Sequence, residues 1–426
     1  MFTKMTKIRF LGGTREVGAS GIEVCNGSKS IVLDYGVRPR NEKLLPLEPG
    51  ENLVGAVITH AHIDHSGAVP HLIKKNQNLT ILATPPTFEL THILLLDMLN
   101  IGRGKYPFGF RDAKKVRRIG EYMNYGNIYD FGDMSVELLN AGHIPGSSSV
   151  LVNVNGTKLW YSGDLNTIPT NLTTPADSIP ETDYIIIEST YALKEHPPRE
   201  EVEKDFIETV TACVERGGIA LVPAFSVGRA QEVLSILYKY NFEYPIVLDG
   251  MARTVSELIL AFPNYVRDYK TLRKALGKAK WVRNEKERKH LLLDPKVVVS
   301  PAGMLQGGSA QYYMKHVYND ELSGIYLVGY QVPGTSGHKL LNEKVVRIGS
   351  KMKKVTAEVK SFELSSHLDG PALLSLLKSV SNSPKVFVVH GEPESAVGFA
   401  NLLKEDFGFD AVAPNEGDVY PLSSHI

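Results

Sequence analysis

The sequence predicts an α/β protein in which one domain is split between the two ends of the chain and an α/β module is inserted between its halves. Three observations support this organisation. Both ends carry short apolar strands that stop at polar residues, residues 199–343 alternate between predicted helices and strands, and no internal repeat or low-complexity linker is present. Alternation of helices and strands is typical of a parallel sheet with crossover helices.

The composition is that of a soluble globular protein with two domains. A chain of 426 residues exceeds what one core usually holds, and 43% hydrophobic and 22% charged residues are ordinary values. The formal net charge is zero, so binding of a polyanion requires a local positive patch. The chain has two distant cysteines, Cys25 and Cys213, and we find no signal peptide or membrane-spanning run. We therefore expect a cytoplasmic protein without membrane association.

The first half of the chain is predicted to consist mostly of strands, beginning with an antiparallel group joined by glycine-containing turns. Predicted strands occupy residues 7–11, 22–24, 30–33, 54–58, 79–83, 127–131, 135–139, 149–154, 158–161 and 184–187. Helices are expected over residues 66–75 and after Pro85 and Pro86, where apolar residues recur on one face.

Beyond residue 195 the pattern changes to alternating helices and strands. Helices are predicted over residues 199–216, 227–238 and 251–262, and strands over 219–222, 246–248, 297–299 and 325–327. The last stretch has predicted strands at 355–364 and 385–389 and helices at 372–379 and 395–405. These last strands end at polar residues, as in the first half, which assigns both chain ends to one domain.

The segment 59–67 contains the densest group of potential metal ligands. His60, His62, Asp64 and His65 follow an apolar run, which is expected to deliver them into a loop at the carboxyl end of a buried strand. Nitrogen and oxygen ligands without cysteine suit Zn²⁺ best, with Mn²⁺ or Fe²⁺ as alternatives. His60 and His62 can reach one ion, and Asp64 and His65 point to a second ion beside it.

The histidine cluster and other strand ends resemble the motifs of a known family. The cluster, with Asp34, His143 and Asp164, is similar to the ligand set of the metallo-β-lactamase superfamily. Three later strand ends resemble the further motifs of its β-CASP nuclease branch, which includes archaeal cleavage-and-polyadenylation-specificity-factor-like and ribonuclease J-like proteins: Glu188, His367 and His390. Residues 223–232 and 300–308 are similar to the inserted domain of that branch.

The resemblance implies a fold and a set of domain limits. The fold would be a metallo-β-lactamase αββα sandwich with an inserted β-CASP α/β domain, which has a parallel sheet with flanking helices. The sandwich would occupy residues 1–194 and 351–426, and the inserted domain residues 195–350.

The resemblance also implies the metal ligands, for two Zn²⁺ per chain with Mn²⁺ as an alternative. One ion would be held by His60, His62 and His143, and the other by Asp64, His65 and His390. Asp164 would bridge both ions, and Asp34 would orient a ligand histidine through a hydrogen bond. Asp34 also has a simpler interpretation, because an Asp shortly before a glycine is common in turns.

The expected reaction is hydrolysis of RNA phosphodiester bonds. Two zinc ions about 3.5–4 Å apart lower the pKa of a bridging water, so that hydroxide forms near neutral pH. Asp64, Glu188 and His367 are the expected catalytic residues, with His367 giving a proton to the leaving oxygen and Glu188 accepting its other N–H. The alternative for this pair is a buried hydrogen bond without a catalytic role. His390 favours RNA as substrate, because the family members that act on RNA resemble this sequence in having histidine at this motif.

Several small or basic residues are candidates for contacts with RNA. Ser147, Ser148, Ser300 and Gly303 lie in stretches whose backbone N–H groups can hold a phosphate, although ordinary turns have the same composition. Residues 267–289 carry ten Lys and Arg, which form either a path for RNA or a solvated helix face.

Three functions remain open from the sequence. The first is a zinc-dependent ribonuclease acting on single-stranded RNA, as an endonuclease, a 5′→3′ exonuclease or both. The others are a small-molecule hydrolase of lactams or thioesters and a non-catalytic RNA-binding scaffold. The inserted module and the Glu188–His367 pair favour the first, and the apolar C-terminal strands suggest a homodimer.

Overall fold

The computed structural model describes residues 6–38, 43–332 and 334–423, which form two compact units. The first unit contains the described residues up to Pro169, then Thr174–Glu195 and the residues from Ser366 onward. The second unit contains Thr170–Thr173 and His196–Ser365. One unit is therefore split between both parts of the chain, as the sequence predicts.

Strands and helices are numbered in chain order. The strands are β1 Lys7–Gly12, β2 Gly21–Cys25, β3 Ser30–Tyr35, β4 Leu53–Val57, β5 Thr80–Ala83, β6 Gly120–Tyr122, β7 Ile128–Asp130, β8 Met134–Asn140, β9 Ser148–Val154, β10 Thr157–Tyr161, β11 Tyr184–Glu188, β12 Ile219–Pro223, β13 Ile246–Leu248, β14 Lys280–Trp281, β15 Lys296–Ser300, β16 Gly324–Leu327, β17 Val345–Ile348, β18 Lys351–Lys354, β19 Glu358–Ser361, β20 Lys385–Val389, β21 Ala411–Val412 and β22 Val419–Pro421. The helices are α1 Ile63–Ser66, α2 Val69–Lys75, α3 Pro85–Gly102, α4 Phe110–Arg118, α5 Arg199–Glu215, α6 Arg229–Lys239, α7 Met251–Leu260, α8 Tyr269–Lys278, α9 Glu285–His290, α10 Ala310–Val317, α11 Ser336–Glu343, α12 Gly370–Lys378 and α13 Pro393–Glu405, with a 3₁₀ turn at Pro263–Tyr265.

Two mixed sheets form the centre of the first unit. One has the order β22-β1-β2-β3-β4-β5-β6, antiparallel from β22 to β3 and parallel from β3 to β6. The other has the order β21-β20-β11-β10-β9-β8-β7, parallel from β21 to β10 and antiparallel from β10 to β7. Alternate side chains of both sheets meet in one apolar core that includes Phe10, Val136 and Phe387.

Helices cover the outer face of each sheet. Leu72 of α2 and Leu95 of α3 pack on the first sheet, and Leu373 of α12 and Phe399 of α13 pack on the second. The order helix, sheet, sheet, helix is the predicted αββα sandwich, which is confirmed.

The helix predicted over residues 66–75 begins later, at Val69, as α2, and a separate short helix, α1, ends at Ser66. Gly67 lies between them, and a Cβ there would be 2.4 Å from the carbonyl oxygen of Ile63. Pro70 then lies in the first turn of α2, where its missing N–H costs no helical hydrogen bond. This break allows α1 to present Asp64 and His65 next to strand β4.

The second unit is built on a parallel sheet of order β14-β13-β15-β12-β16-β19. Its core includes Leu221, Val298, Tyr313 and Ile325, and an antiparallel hairpin of β17 and β18 is added to it. The predicted inserted α/β module with a parallel sheet is therefore confirmed. None of the helices in the described residues is both long enough and apolar enough to cross a membrane.

The second unit extends further along the chain than the predicted limit at residue 350. Strand β19 pairs in parallel with β16, from Gly324 opposite Glu358 to Leu327 opposite Ser361. This hydrogen-bonded ladder assigns the segment after β18 to the second unit, which ends at Ser365. The sequence shows that residues 355–364 favour an extended conformation, but it does not show which sheet they join.

Candidate metal centre

Polar side chains at the ends of strands in the first unit converge on one cluster. His60 and His62 follow β4, His143 follows β8, and Asp164 follows β10. Side-chain donors form three groups, each with atoms within 4.8 Å of one another: His60, His62, His143 and Asp164; Asp64, His65 and His390; and Asp164, Glu188 and His367. Every predicted metal ligand therefore lies in this cluster, together with the predicted catalytic pair.

The first group has the spacing of a tetrahedral metal site. His62 Nδ1 lies 3.1 Å from His60 Nε2 and 3.3 Å from His143 Nε2. Asp164 Oδ2 lies 3.4 Å from His60 Nε2 and 3.6 Å from His143 Nε2. Ligand atoms at the usual zinc–nitrogen distance of about 2.0–2.1 Å are separated by about 3.3–3.4 Å in a tetrahedron. The four atoms therefore fit one zinc-sized ion.

The second group lies on the other side of the Asp164 carboxylate. His65 Nε2 is 3.2 Å from His390 Nε2, and His390 Nε2 is 3.6 Å from Asp64 Oδ2. Asp164 Oδ1 is 3.2 Å from His65 Nε2 and 3.2 Å from His390 Nδ1. One oxygen of Asp164 therefore faces each group, as the prediction that two ions share this carboxylate requires.

The contacts of Asp164 indicate ligands rather than a hydrogen-bonded network. Among the described residues, its buried Oδ1 atom accepts no hydrogen bond, although His65 Nε2 and His390 Nδ1 are at contact distance. A buried carboxylate oxygen without a donor is costly unless something else neutralises it. A cation between these atoms removes that cost, so the residues present fit a metal.

Asp34 organises the second group through four hydrogen bonds. Its Oδ2 accepts from His65 Nδ1 at 2.8 Å, from Tyr161 Oη at 2.9 Å and from Thr59 Oγ1 at 2.8 Å. Its Oδ1 accepts from the backbone N–H of Thr59 at 2.8 Å. Asp34 lies within β3 rather than in a turn, and its φ of 57° is unusual for a residue other than glycine. It has the contacts that orienting His65 requires.

Two further histidines of the site, His143 and His60, have a contact at the outer ring nitrogen. His143 Nδ1 donates to the carbonyl oxygen of Ser366 at 2.8 Å. The Nδ1 of His60 is 3.1 Å from Thr59 Oγ1, and this hydroxyl accepts from His60 because it already donates to Asp34. A fixed outer nitrogen determines which nitrogen of the ring is free to bind a metal.

Glu188 and His367 form a pair beside the shared carboxylate. His367 Nδ1 lies 2.9 Å from both carboxylate oxygens of Glu188, and its Nε2 lies 3.8 Å from Asp164 Oδ2. Glu188 is fully buried and also accepts from the backbone N–H of Leu165 at 2.8 Å. The ring of His367 is therefore fixed with Nε2 directed towards the cluster.

Burial and neighbouring carboxylates shift the pKa values of the histidines in opposite directions. Burial lowers the pKa of His60 and of His143 well below the ordinary value, which favours neutral imidazoles. Burial also acts to lower the pKa of His65, but Asp164 and Asp34 raise it further than burial lowers it. For His367, burial is outweighed in the same way by Glu188 and Asp164, which raise its pKa to about 9.

All four residues that were predicted to contact RNA form hydrogen bonds within the protein. Ser147 is buried, and its Oγ accepts from the backbone N–H of His143 at 3.0 Å. Ser148 is buried, and its Oγ donates to the carbonyl oxygen of Thr59 at 3.2 Å. Ser147 lies in the turn before β9 and Ser148 is the first residue of β9, so both hydroxyls have partners within the protein, and contact of these serines with RNA stays a prediction.

The other two predicted contacts lie in the second unit. Ser300 Oγ lies 2.7 Å from Ser309 Oγ, and the Gly303 carbonyl accepts from Gln331 at 3.0 Å. Their contact with RNA stays a prediction.

Two residues of the site were missed by sequence reasoning. Tyr161 and Thr59 both donate to Asp34, and both are buried. Tyr161 ends an apolar strand and resembles a core residue, so the pattern gave no sign of its polar contact. Thr59 directly precedes the histidine cluster, and this position is the sequence feature that could have indicated its role in the site.

Comparison with known protein families agrees with the fold and the cluster. Residues 16–199 match the metallo-beta-lactamase superfamily, residues 230–340 match the Beta-Casp domain, and residues 352–414 match a Zn-dependent metallo-hydrolase RNA specificity domain. The first and third matches contain the ligand residues, and the second lies within the second unit.

Similar proteins with curated names are archaeal. The chain is 37% identical to RNase aCSPSF2 of Saccharolobus solfataricus, over 96% of this chain and 84% of that protein. It is 36% identical to Probable RNase MJ4 of Methanocaldococcus jannaschii, over 97% of this chain and 99% of that protein. It is 33% identical to the transcription termination factor FttA of Pyrococcus abyssi, over 99% of this chain and 72% of that protein.

A solved structure of a protein of unknown function from Enterococcus faecalis matches with a TM-score of 0.61 at 13% identity, covering 98% of this chain and 100% of the other. At this identity the likeness concerns the fold alone.

The sandwich and its histidine–aspartate cluster define a metal-dependent hydrolase of the metallo-β-lactamase class. Within that class, the chain belongs to the β-CASP family, as its domain matches and its archaeal relatives show.

Proposed function

We propose that the chain is a zinc-dependent ribonuclease that hydrolyses phosphodiester bonds of single-stranded RNA. The observation that carries the proposal is that six predicted ligands form two groups on either side of one carboxylate, Asp164, with a histidine–glutamate pair beside it. The names of the relatives as ribonucleases and the match to an RNA specificity domain support RNA as the substrate.

Zinc would be held by the two groups, one on each side of Asp164. When bound, a pair of zinc ions supplies an activated water near neutral pH and positive charge that offsets the charge developing on the phosphate. Asp34, Thr59 and Ser366 keep the ligand histidines in the orientation that binding requires.

His367 is the proposed general acid for the leaving oxygen. Glu188 accepts the Nδ1 proton of His367, which leaves Nε2 as the atom that can hold and give a proton. Nε2 is 3.8 Å from the shared carboxylate, so a phosphodiester at the cluster comes within reach of it. Asp64, at the edge of the second group, would position the reacting water by binding the same ion.

The test is cleavage of single-stranded RNA by the purified, zinc-loaded chain. RNA labelled at either end, with a 5′-phosphate or a 5′-hydroxyl, distinguishes internal cuts from stepwise degradation from the 5′ end. Internal fragments at early times indicate an endonuclease, and mononucleotides from the 5′ label indicate a 5′→3′ exonuclease. A chain that binds two zinc ions and cleaves neither substrate contradicts the proposal.

The same purified chain can be used to test the two alternative functions. Hydrolysis of a chromogenic lactam or thioester, without RNA cleavage, would identify a small-molecule hydrolase. RNA binding by a chain that takes up no metal would identify a scaffold.

A further inference from the structure

An open cleft in the second unit combines positive charge with an aromatic side chain. It has a volume of about 660 Å³ and lies where α8, edge strand β14 and α9 approach one another. We call it the β14 cleft, and its lining includes Arg273, Gly277, Lys280, Trp281, Arg283 and Glu287. None of these residues belongs to the metal centre.

The three cations of the β14 cleft are not neutralised by the protein. Arg273, Lys280 and Arg283 are exposed, and none of them forms an ion pair with a carboxylate in the part of the chain that the structure describes. The nearby Arg288 differs, because its Nε lies 2.6 Å from Asp249 Oδ2. The charge of the cleft is therefore available to a ligand.

The carboxylate of Glu287 in the lining is already engaged. Its Oε2 accepts from the backbone N–H of Arg283 at 2.8 Å, and its Oε1 accepts from Asn284 Nδ2 at 3.4 Å. Asn284 in turn caps helix α9 by accepting from the backbone N–H of Glu287 at 3.0 Å. This carboxylate is held at the helix start, and its one negative charge offsets only part of the charge of Arg273, Lys280 and Arg283, so the lining keeps an excess of positive charge.

Trp281 supplies a flat apolar surface beside these charges. Its side chain is only half-buried, and Nε1 donates to the carbonyl oxygen of Leu276 at 3.0 Å, which fixes the ring. Bases of single-stranded nucleic acid stack on such rings, and the phosphates between them are held by Lys and Arg. The surrounding residues 267–289 contain ten Lys and Arg against three Asp and Glu, in a chain of zero net charge.

We propose that the β14 cleft binds single-stranded RNA, with phosphates at Arg273, Lys280 and Arg283 and a base stacked on Trp281. The proposal rests on the proposed ribonuclease function, since it assigns a second contact to the same substrate class. An acidic protein segment would use the three cations but would leave the half-exposed indole unused. RNA uses both features.

The fluorescence of Trp281 reports directly on this site. The chain has two tryptophans, and the other, Trp160, is 1% exposed in the first unit. We expect oligouridylate, added in the presence of a chelator so that nothing is cleaved, to quench the emission with saturation. Trp281→Phe should remove that change, and Trp281→Ala should weaken binding about tenfold, measured by anisotropy of labelled oligouridylate.

Charge and shape can be varied separately. Arg273→Gln with Lys280→Gln should weaken binding about tenfold and make the slope of log affinity against log salt shallower by about 1.4, or about 0.7 for each phosphate contact. Gly277→Leu fills the cleft without changing charge, and a Cβ at Gly277 meets no atom within 4 Å, so this variant should fold. It should weaken binding as strongly.

Lys315→Gln is the matched control, because Lys315 is exposed on α10 of the same unit, lies outside residues 267–289 and does not line the cleft. The affinity of this variant should stay within about twofold of the parent, as expected for one screened surface charge outside the cleft.

Two results would overturn the proposal. One is unchanged affinity in both the Arg273→Gln/Lys280→Gln and the Gly277→Leu variants. The other is equal quenching by polyglutamate, which would identify a site for acidic protein. Because the titration is done without metal, it is independent of cleavage: quenching without cleavage by the zinc-loaded chain contradicts only the ribonuclease, and cleavage without quenching contradicts only the cleft.

Discussion

The two predicted ligand groups of the candidate metal centre take their residues from different parts of the chain. The first group takes His60, His62 and His143 from the N-terminal part of the first unit. The second group takes Asp64 and His65 from helix α1 but is completed by His390, which follows β20 in the C-terminal part. The first group comes from the N-terminal segment of the first unit, whereas the second combines residues of its N-terminal and C-terminal segments.

The groups also differ in how charge supports them. In the first, burial lowers the pKa of His60 and His143, and the outer nitrogens of these rings contact a hydroxyl and a carbonyl oxygen. In the second, His65 lies between two carboxylates, Asp34 and Asp164, which raise its pKa. His60 and His143 have Asp164 as their neighbouring carboxylate, so metal binding by the first group should depend most on Asp164. His65 also contacts Asp34, so metal binding by the second group should depend in addition on the hydrogen bonds that hold Asp34.

Replacing the shared carboxylate should have the largest effect. Asp164→Asn removes the charge that both groups use, so we expect zinc content to fall well below two per chain and RNA cleavage to fall by about 10³-fold or more. Atomic absorption and the end-labelled RNA assay measure the two effects. Asp406→Asn, at an exposed position after α13, is the control and should change neither. Full zinc content in Asp164→Asn would contradict a shared ligand.

Removing one ligand from each group tests whether the groups are separate. His62→Ala and His390→Ala should each reduce zinc from about two to about one per chain, because the other group keeps its ligands. Cleavage should fall by about 10²–10³-fold in both, since each ion contributes to the reaction. If His62→Ala empties both sites while His390→Ala empties one, the groups are not equivalent and the first must fill before the second.

His367→Gln should slow cleavage by about 10²-fold without lowering zinc content, because this side chain is assigned to proton transfer rather than to metal binding. Glu188→Gln should have a smaller effect in the same direction, since it leaves the His367 ring in place but removes its charged acceptor. Rates under single-turnover conditions and zinc content separate the two roles. Loss of zinc in His367→Gln would instead make this histidine a ligand.

The difference between the groups also explains what the sequence could predict. His60, His62, Asp64 and His65 lie within six residues after an apolar strand, so composition and spacing alone indicated a metal site. His390 and His367 are far along the chain beyond an inserted unit, and their position after predicted strands marks them as candidates without giving them a role. Their assignment depended on the family resemblance, because pairing of β11 with β20 is a long-range event that periodicity cannot show.

Residues that act through other residues were the hardest to predict. Tyr161 occupies an apolar strand position, and only the packing of its sheet against the sheet that contains β3 brings its hydroxyl to Asp34. Ser147 and Ser148 show the opposite case, because glycine and serine suggested a phosphate site, whereas the Ser147 hydroxyl accepts from the backbone N–H of His143 and the Ser148 hydroxyl donates to the carbonyl oxygen of Thr59. For Tyr161 and for the two serines, the role of the hydroxyl depends on which partners the fold places within hydrogen-bonding distance.

Tyr161→Phe should have the smallest effect and should be confined to the second group. It removes one of four hydrogen bonds to Asp34 and leaves the ring in the core, so Asp34 holds His65 less firmly. Loss of such a supporting bond typically costs about 10-fold in metal affinity. Competition with a chromogenic chelator should show weaker binding of one zinc and unchanged binding of the other. Tyr184→Phe, which removes a hydroxyl from the same sheet outside the Asp34 network, should change neither. Equal weakening of both zincs would mean that Asp34 supports the whole cluster, and the contrast between a self-contained first group and a second group that depends on its surroundings would be lost.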